Sequence, residues 1–198
     1  MSNTVSDTKR IAFVVAPLTG DELQATRRDA AIVYSILTDP QLGMCHKSKS
    51  KLIHECSNRD NFQSELTSVL KDWDSQTQLI IYFSGHGEVA NKNKYCLKIG
   101  ETKYPFSNLI SELEIAGVNR AIIILDTCHS GAAIGIKKDG SSLISEEVPQ
   151  GIAIIASSKQ TQLSYELQDG SADFSRDVEK EMRFAISQRE PNTILCYI

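Results

Sequence analysis

The sequence predicts an α/β fold, a layer sandwich on a mainly parallel sheet, and two observations predict it. Short apolar runs rich in Ile, foremost Leu79 to Phe83 and Ala121 to Leu125, are bounded by polar residues and glycines, the pattern of strands buried on both faces. Between them lie segments whose apolar residues recur at helical spacing, so strands and helices alternate along the chain. Arg10 to Ala16 is the first strand, broken by Pro17-Leu18-Thr19-Gly20. A helix follows over Glu22 to Leu37, with Ala30, Val33, Tyr34 and Leu37 on one stripe, and Asp39-Pro40 ends it. Lys51 to Cys56 is a short second strand, and Asn61 to Trp73 a helix with Phe62, Leu66, Val69 and Leu70 on one face. Leu79 to Phe83 is the third strand. Tyr95 to Ile99 and Thr102 to Phe106 flank Gly100-Glu101 as a hairpin. Asn108 to Ala116 is a helix leading to the strand Ala121 to Leu125; Gly151 to Ala156 is a fifth strand and Val178 to Ser187 a late helix.

The 198 residues suffice for one domain with a real core. Residues 1–9 read as a polar tail and residues 10–198 as the domain, with Gly135 to Pro149 an exposed loop rich in glycine, serine and charge. The composition, 41% hydrophobic and 23% charged, is that of an ordinary soluble protein. A formal net charge of −4 leaves no basic excess for neutralising phosphates, which argues against nucleic acid as a partner. The opening residues carry no signal-peptide core and no apolar stretch reaches membrane-spanning length. Five cysteines, without repeated spacing, read as reduced thiols in a cytoplasmic protein.

The chemistry lies where two runs end. Leu79 to Phe83 opens into Ser84-Gly85-His86-Gly87, and Ala121 to Leu125 into Asp126-Thr127-Cys128-His129-Ser130-Gly131. In a parallel sheet the loops at the carboxyl ends of the strands form the functional edge, so an imidazole and a thiol leave one edge together, as a Cys–His nucleophile pair requires. In extended chain, residues i and i+2 point the same way. If both tips stay extended, Ser84 shares a side with His86, and Asp126 with Cys128. His86 is then the base that takes the thiol proton and later protonates the leaving amine. Cys128 is the nucleophile, and the N–H groups of Gly87 and Cys128 form the oxyanion hole.

YFSGHG at 82–87 and LDTCHSG at 125–131 resemble the two catalytic signatures of the caspase-like cysteine peptidases, nearer the metacaspase and bacterial branch than the animal caspases. The resemblance spans about Arg10 to Phe184 and implies a caspase-like three-layer α/β/α sandwich, with His86 and Cys128 as the dyad; His129 matches a common motif position and is not the base. It also implies cleavage of protein substrates after Arg or Lys, with Asp126, Ser84 and Asp29 matching positions that line the pocket for that residue. Acids there supply charge-assisted hydrogen bonds to a cation. Two of these keep a second reading. Asp126 also suits a turn cap, and Thr26-x-x-Asp29 is also a capping-box pattern at a helix start. Lys137-Lys138, between segments matching the family's large and small subunits, is a candidate processing site, by the chain itself or an activating protease; the other reading is a solvated charge pair. A catalytically silent adaptor in a signalling or defence complex is the alternative function.

No cofactor and no metal is expected. Calcium-dependent metacaspases carry several acids after the His motif, whereas residues 88–106 offer Glu88 and Glu101 alone. Glu146-Glu147 reads as part of a solvated loop. Cys45-His46 and His54-x-Cys56 match no usual zinc spacing. The residue six positions after Cys128 is Ile134, where a Cys-x5-Arg phosphatase loop needs arginine.

Overall fold

A computed structural model describes residues 9–18, 24–90, 94–127 and 148–156. Five strands, β1 (Lys9–Val15), β2 (Lys51–Ile53), β3 (Thr77–Gly85), β7 (Ala121–Thr127) and β8 (Ile152–Ala156), form one sheet in the order β2-β1-β3-β7-β8. Every neighbouring pair in it is parallel. Three shorter strands, β4 (Gly87–Ala90), β5 (Lys94–Ile99) and β6 (Thr102–Pro105), form a separate antiparallel sheet. The helices among the described residues are α1 (Gln24–Thr38), α2 (Arg59–Leu70) and α3 (Phe106–Ile115).

Alternation along the strands divides the core into two layers. Ile11, Phe13 and Val15 of β1, Leu79, Ile81 and Phe83 of β3, and Ala121, Ile123 and Leu125 of β7 pack on one face with Phe62, Leu66 and Val69 of α2 and Leu109 and Leu113 of α3. The antiparallel sheet joins this side through Tyr95, Leu97, Ile99 and Tyr104. The opposite residues, Ala12 and Val14 of β1 and Ile80 and Tyr82 of β3, pack with Ala30, Val33 and Leu37 of α1. The sheet thus lies between α1 on one side and α2 with α3 on the other, the layering expected of an α/β sandwich.

Two parallel neighbours need a crossover, and α1 supplies it between β1 and β2. Its far end returns to the start of β1: His46 N–H donates to Arg10 carbonyl at 2.7 Å, and Cys45 bridges to Arg10. The helix therefore runs from the carboxyl edge of the sheet to the amino edge, and its first turns stand at the carboxyl edge.

The expected elements are present where described, with shifted ends. α2 starts at Arg59 rather than Asn61 because Asn58 caps it, its side-chain oxygen accepting from Asn61 N–H at 2.9 Å. β3 extends to Thr77 and Gly85 because β1 and β7 supply partners along its full length, from Lys9↔Thr77 to Gly85↔Thr127. β2 stops at Ile53, whose carbonyl accepts from Ala16 N–H at 2.9 Å, rather than running to Cys56. The strand β4 is an addition to the expected hairpin. The late helix Val178 to Ser187 and most of the loop Gly135 to Pro149 lie outside the described residues.

Candidate active site

β3 and β7 are direct neighbours, and their register runs in step from Leu79↔Ala121 to Ser84↔Asp126 and Gly85↔Thr127. Both segments are apolar and Ile-rich because each is covered on both faces. Each gains polar residues where it reaches the carboxyl edge. Ser84 and Asp126 belong to the alternation that faces α1; Gly85 and Thr127 belong to the one that faces α2 and α3.

Buried polar side chains concentrate at this edge. Ser84 is 1% exposed, Asp126 4% and Asp29 1%, and these two aspartates are the only buried carboxylic acids among the described residues. Asp29 lies in the second turn of α1, the end that stands at the carboxyl edge, next to Ala30 of the α1-side core. Since α1 begins at Gln24, Thr26 and Asp29 are both inside the helix, and the capping-box alternative for this pair is set aside. Asp126 sits within β7, so a turn-capping role does not apply to it. A buried carboxylate is costly without hydrogen-bond donors. Asp126 has one in Tyr82, whose hydroxyl donates to Asp126 Oδ2 at 3.1 Å. Thr127, on the other face, shares a hydroxyl–hydroxyl hydrogen bond with Tyr95 of β5.

His86 is the single residue between β3 of the parallel sheet and β4 of the antiparallel one, so the chain passes from one sheet to the other at it. Ser84 and Asp126 are inside their strands and level with each other. The corner is fixed from the antiparallel sheet: His86 carbonyl accepts from Lys98 N–H at 2.9 Å, and the following Gly87 pairs with Leu97. Gly87 is buried and half-buried His86 stands beside it. Cys128, the proposed nucleophile and second oxyanion donor, lies one residue past the end of the described part of β7; it, Lys137 and Lys138 are outside the described residues.

Among the described residues no group of three or more His, Cys, Asp or Glu side chains is arranged to hold a metal ion. Glu88 instead pairs with Lys103 at 2.5 Å. Cys45, Cys56 and Cys96 are free and buried. Burial pushes the Cys45 and Cys56 thiols up to about 11, and raises Cys96 as well. They are the inert kind of cysteine. His54, just past β2, is held below the ordinary histidine range by burial and then by the Arg27 guanidinium.

Sequence reasoning named Ser84, Asp126 and Asp29 and missed the two tyrosines that hold the edge. Tyr82 carried a usable signal, since it stands two residues before Ser84 on the same side of the strand. Tyr95 carried none, because its partner is 32 residues away on another sheet.

The chain matches the family model of the caspase domain, Peptidase C14, over residues 9–191. Among solved structures it is similar to the crystal structure of caspase-1 from Spodoptera frugiperda, with a TM-score of 0.65 and 15% sequence identity, covering 96% of this chain and 76% of the other. At that identity the likeness is one of fold. No curated protein matches the chain.

Proposed function

We propose, from the premise that this chain belongs to the caspase domain family of cysteine peptidases, that it is an endopeptidase cleaving proteins after Arg or Lys through His86 and Cys128. The register of β3 and β7 carries the reading. Its last described pairs are Ser84↔Asp126 and Gly85↔Thr127, and the next residues along the two chains are His86 and Cys128. Adjacent strands are about 4.8 Å apart, so residues at this level of the two tips are within reach of one peptide bond.

His86 accepts the Cys128 thiol proton, and the thiolate attacks the carbonyl carbon of the substrate. The tetrahedral oxyanion is met by the N–H groups of Gly87 and Cys128. Collapse expels the amine, which takes the proton from His86, and leaves an acyl-enzyme on Cys128. Water, deprotonated by His86, then releases the acid and restores the thiol. The basic preference rests on Asp126 and Asp29, two buried acids on the α1 side of the carboxyl edge, with Ser84 beside Asp126. A cationic side chain entering there gains charge-assisted hydrogen bonds in a water-poor setting. A pocket for acidic residues would need arginine in their place.

We read residues 10–198 as one peptidase domain that acts in regulated proteolysis, needs no cofactor or metal, and is controlled by cleavage at Lys137 or Lys138 or by a regulatory partner. The three free, buried cysteines suit a reducing cytoplasm.

Fluorogenic peptides with Arg, Lys, Asp or Leu before the cleaved bond test the reading. Wild type is expected to cleave the Arg and Lys peptides, and Cys128→Ala to cleave none. Failure of wild type on every peptide, also after treatment with other proteases, would favour a catalytically silent adaptor. Cleavage restricted to Asp or Leu peptides would keep the dyad and remove the basic specificity. Mass spectrometry of incubated wild type and Cys128→Ala reports processing at Lys137-Lys138, and an intact loop in an active enzyme removes that step.

A further inference from the structure

We propose that Tyr82 is a specificity-determining positioning residue: its hydroxyl pins the Asp126 carboxylate in the orientation that receives the cationic side chain of the substrate. The proposal rests on the basic-specificity reading above and gives a role to Tyr82, the first residue of the YFSGHG signature, to which the resemblance assigned none.

Tyr82 is 0% exposed and lies in the α1-side core with Ala12, Val14, Ala30 and Val33. Phenylalanine would fill that apolar site equally well. A hydroxyl carried into such a place costs free energy unless it finds a partner, and the partner here is a carboxylate. The register explains how they meet. Tyr82 is level with Ile124, and Asp126 is two residues further along the neighbouring strand. Two residues of strand rise about 6.6 Å, close to the reach of a tyrosine from backbone to hydroxyl. The phenol hydroxyl reaches Asp126 Oδ2 at 3.1 Å.

The consequence is chemical as well as geometric. A donor to one carboxylate oxygen favours the charged form of the acid, and it halts rotation of the group so that Oδ1 keeps a fixed direction. A preorganised acceptor of this kind separates a cation from a neutral side chain of the same shape, since less ordering is required when the cation arrives. Tyr82 touches neither substrate nor the reacting atoms in this scheme. It acts through Asp126, and its effect belongs in binding of the cation rather than in the chemical step.

Peptides carrying Arg or its neutral isostere citrulline before the cleaved bond provide the test. In Tyr82→Phe, KM for the Arg peptide should rise about tenfold, the worth of one hydrogen bond to a charged group. Its kcat should stay within about threefold of wild type, and the citrulline peptide should be unaffected. Replacing Tyr82 with 4-aminophenylalanine, which keeps a donor at the ring end, should restore most of the Arg preference. In an Asp126→Asn background the Tyr82→Phe change should have no further effect on the Arg-to-citrulline ratio. The 4-aminophenylalanine variant, which keeps both the ring and a donor, and Asp126→Asn alone, which should lower the Arg-to-citrulline ratio, keep the idea open to refutation should Tyr82→Phe fold poorly. An unchanged ratio in Tyr82→Phe, or equal loss of kcat on both peptides, overturns the role of Tyr82 and leaves the basic-specificity reading in place. Wild type that does not prefer Arg to citrulline overturns that reading, and this proposal with it.

Discussion

Tyr95 of β5 and Thr127, the last described residue of β7, are joined hydroxyl to hydroxyl across the gap between the two sheets. Tyr95 is 5% exposed and Thr127 1%, so the bond is shielded from water. It ties the strand that leads into Cys128 to the sheet that also holds the His86 carbonyl through Lys98. Both proposed catalytic residues are thus adjacent to backbone steadied by one small sheet. Tyr95→Phe is expected to cost about 1 kcal/mol of stability, the net worth of a buried neutral hydrogen bond. That corresponds to a fall of about 2–4 °C in Tm for a chain of this size. A severalfold drop in kcat/KM should accompany it. Thermal unfolding and steady-state kinetics check both, and unaltered kinetics would remove any link between this bond and the site.

Loss of either member of the proposed dyad should be far more severe. Cys128→Ala and His86→Ala are each expected to lower kcat/KM by about a thousandfold or more, and the double variant by little beyond either single, because the two act as one unit. Full-length variants with wild-type Tm values make the comparison clean.

Phe62 is the hub of the larger core. Its ring centroid lies 5.6 Å from Phe13, 6.4 Å from Phe83 and 4.8 Å from Tyr104, so α2, β1, β3 and β6 meet on it. Phe62→Ala should destabilise by about 3–5 kcal/mol through the cavity it leaves. Urea denaturation followed by tryptophan fluorescence measures this, since Trp73 packs at the edge of the same cluster.

Three glycines with positive φ allow a graded test of backbone fit. A Cβ at Gly100, φ +56°, or at Gly151, φ +90°, would come within 1.9 Å of a carbonyl oxygen, Ser57 O and Asn119 O respectively. A Cβ at Gly117, φ +73°, meets nothing within 4 Å. Gly117→Ala should therefore cost only the left-handed penalty of about 1–2 kcal/mol. Gly100→Ala and Gly151→Ala must add a backbone displacement and should be clearly worse in the same denaturation series.

The buried thiols give a pH signature of known sign. Cys45 and Cys56 ionise near 11 in the fold, against 9.0 for an unburied thiol. Their folded-state pKa values are raised, so the folded form resists ionisation. Stability is unaffected below about pH 9 and falls as pH rises from there toward 11, where the unfolded chain gains thiolate and the folded chain does not. Urea midpoints should decline across that window and less so in Cys56→Ala. At pH 8 iodoacetamide should modify Cys45 and Cys56 only at the rate of unfolding.

Legibility followed the range of the interactions. Apolar runs such as Leu79 to Phe83 declare a strand because burial on both faces leaves no place for polar residues. The helical stripe of Ala30, Val33 and Leu37 declares α1 for the same reason on one face. Ser84, His86, Asp126 and Cys128 stood out because polar, reactive residues directly follow such runs. The tip of β3 was read less well. No strand was expected after His86, but Gly87–Ala90 pairs with β5 as β4, and nothing local to that segment announces the pairing.

The sequence by itself determined the alternation of strands and helices, the two polar tips and the family. These depend on periodicity and on contiguous residue types, which are local properties of a chain. Tertiary structure alone decided that β3 and β7 are neighbours in the register Ser84↔Asp126. It also decided that Asp29 is inside α1 rather than capping it, and that Tyr82 and Tyr95 both fasten the carboxyl end of β7, through Asp126 and Thr127. Those outcomes depend on which distant segments pack together, because a buried carboxylate or hydroxyl must find its partner wherever the fold brings one within about 3 Å.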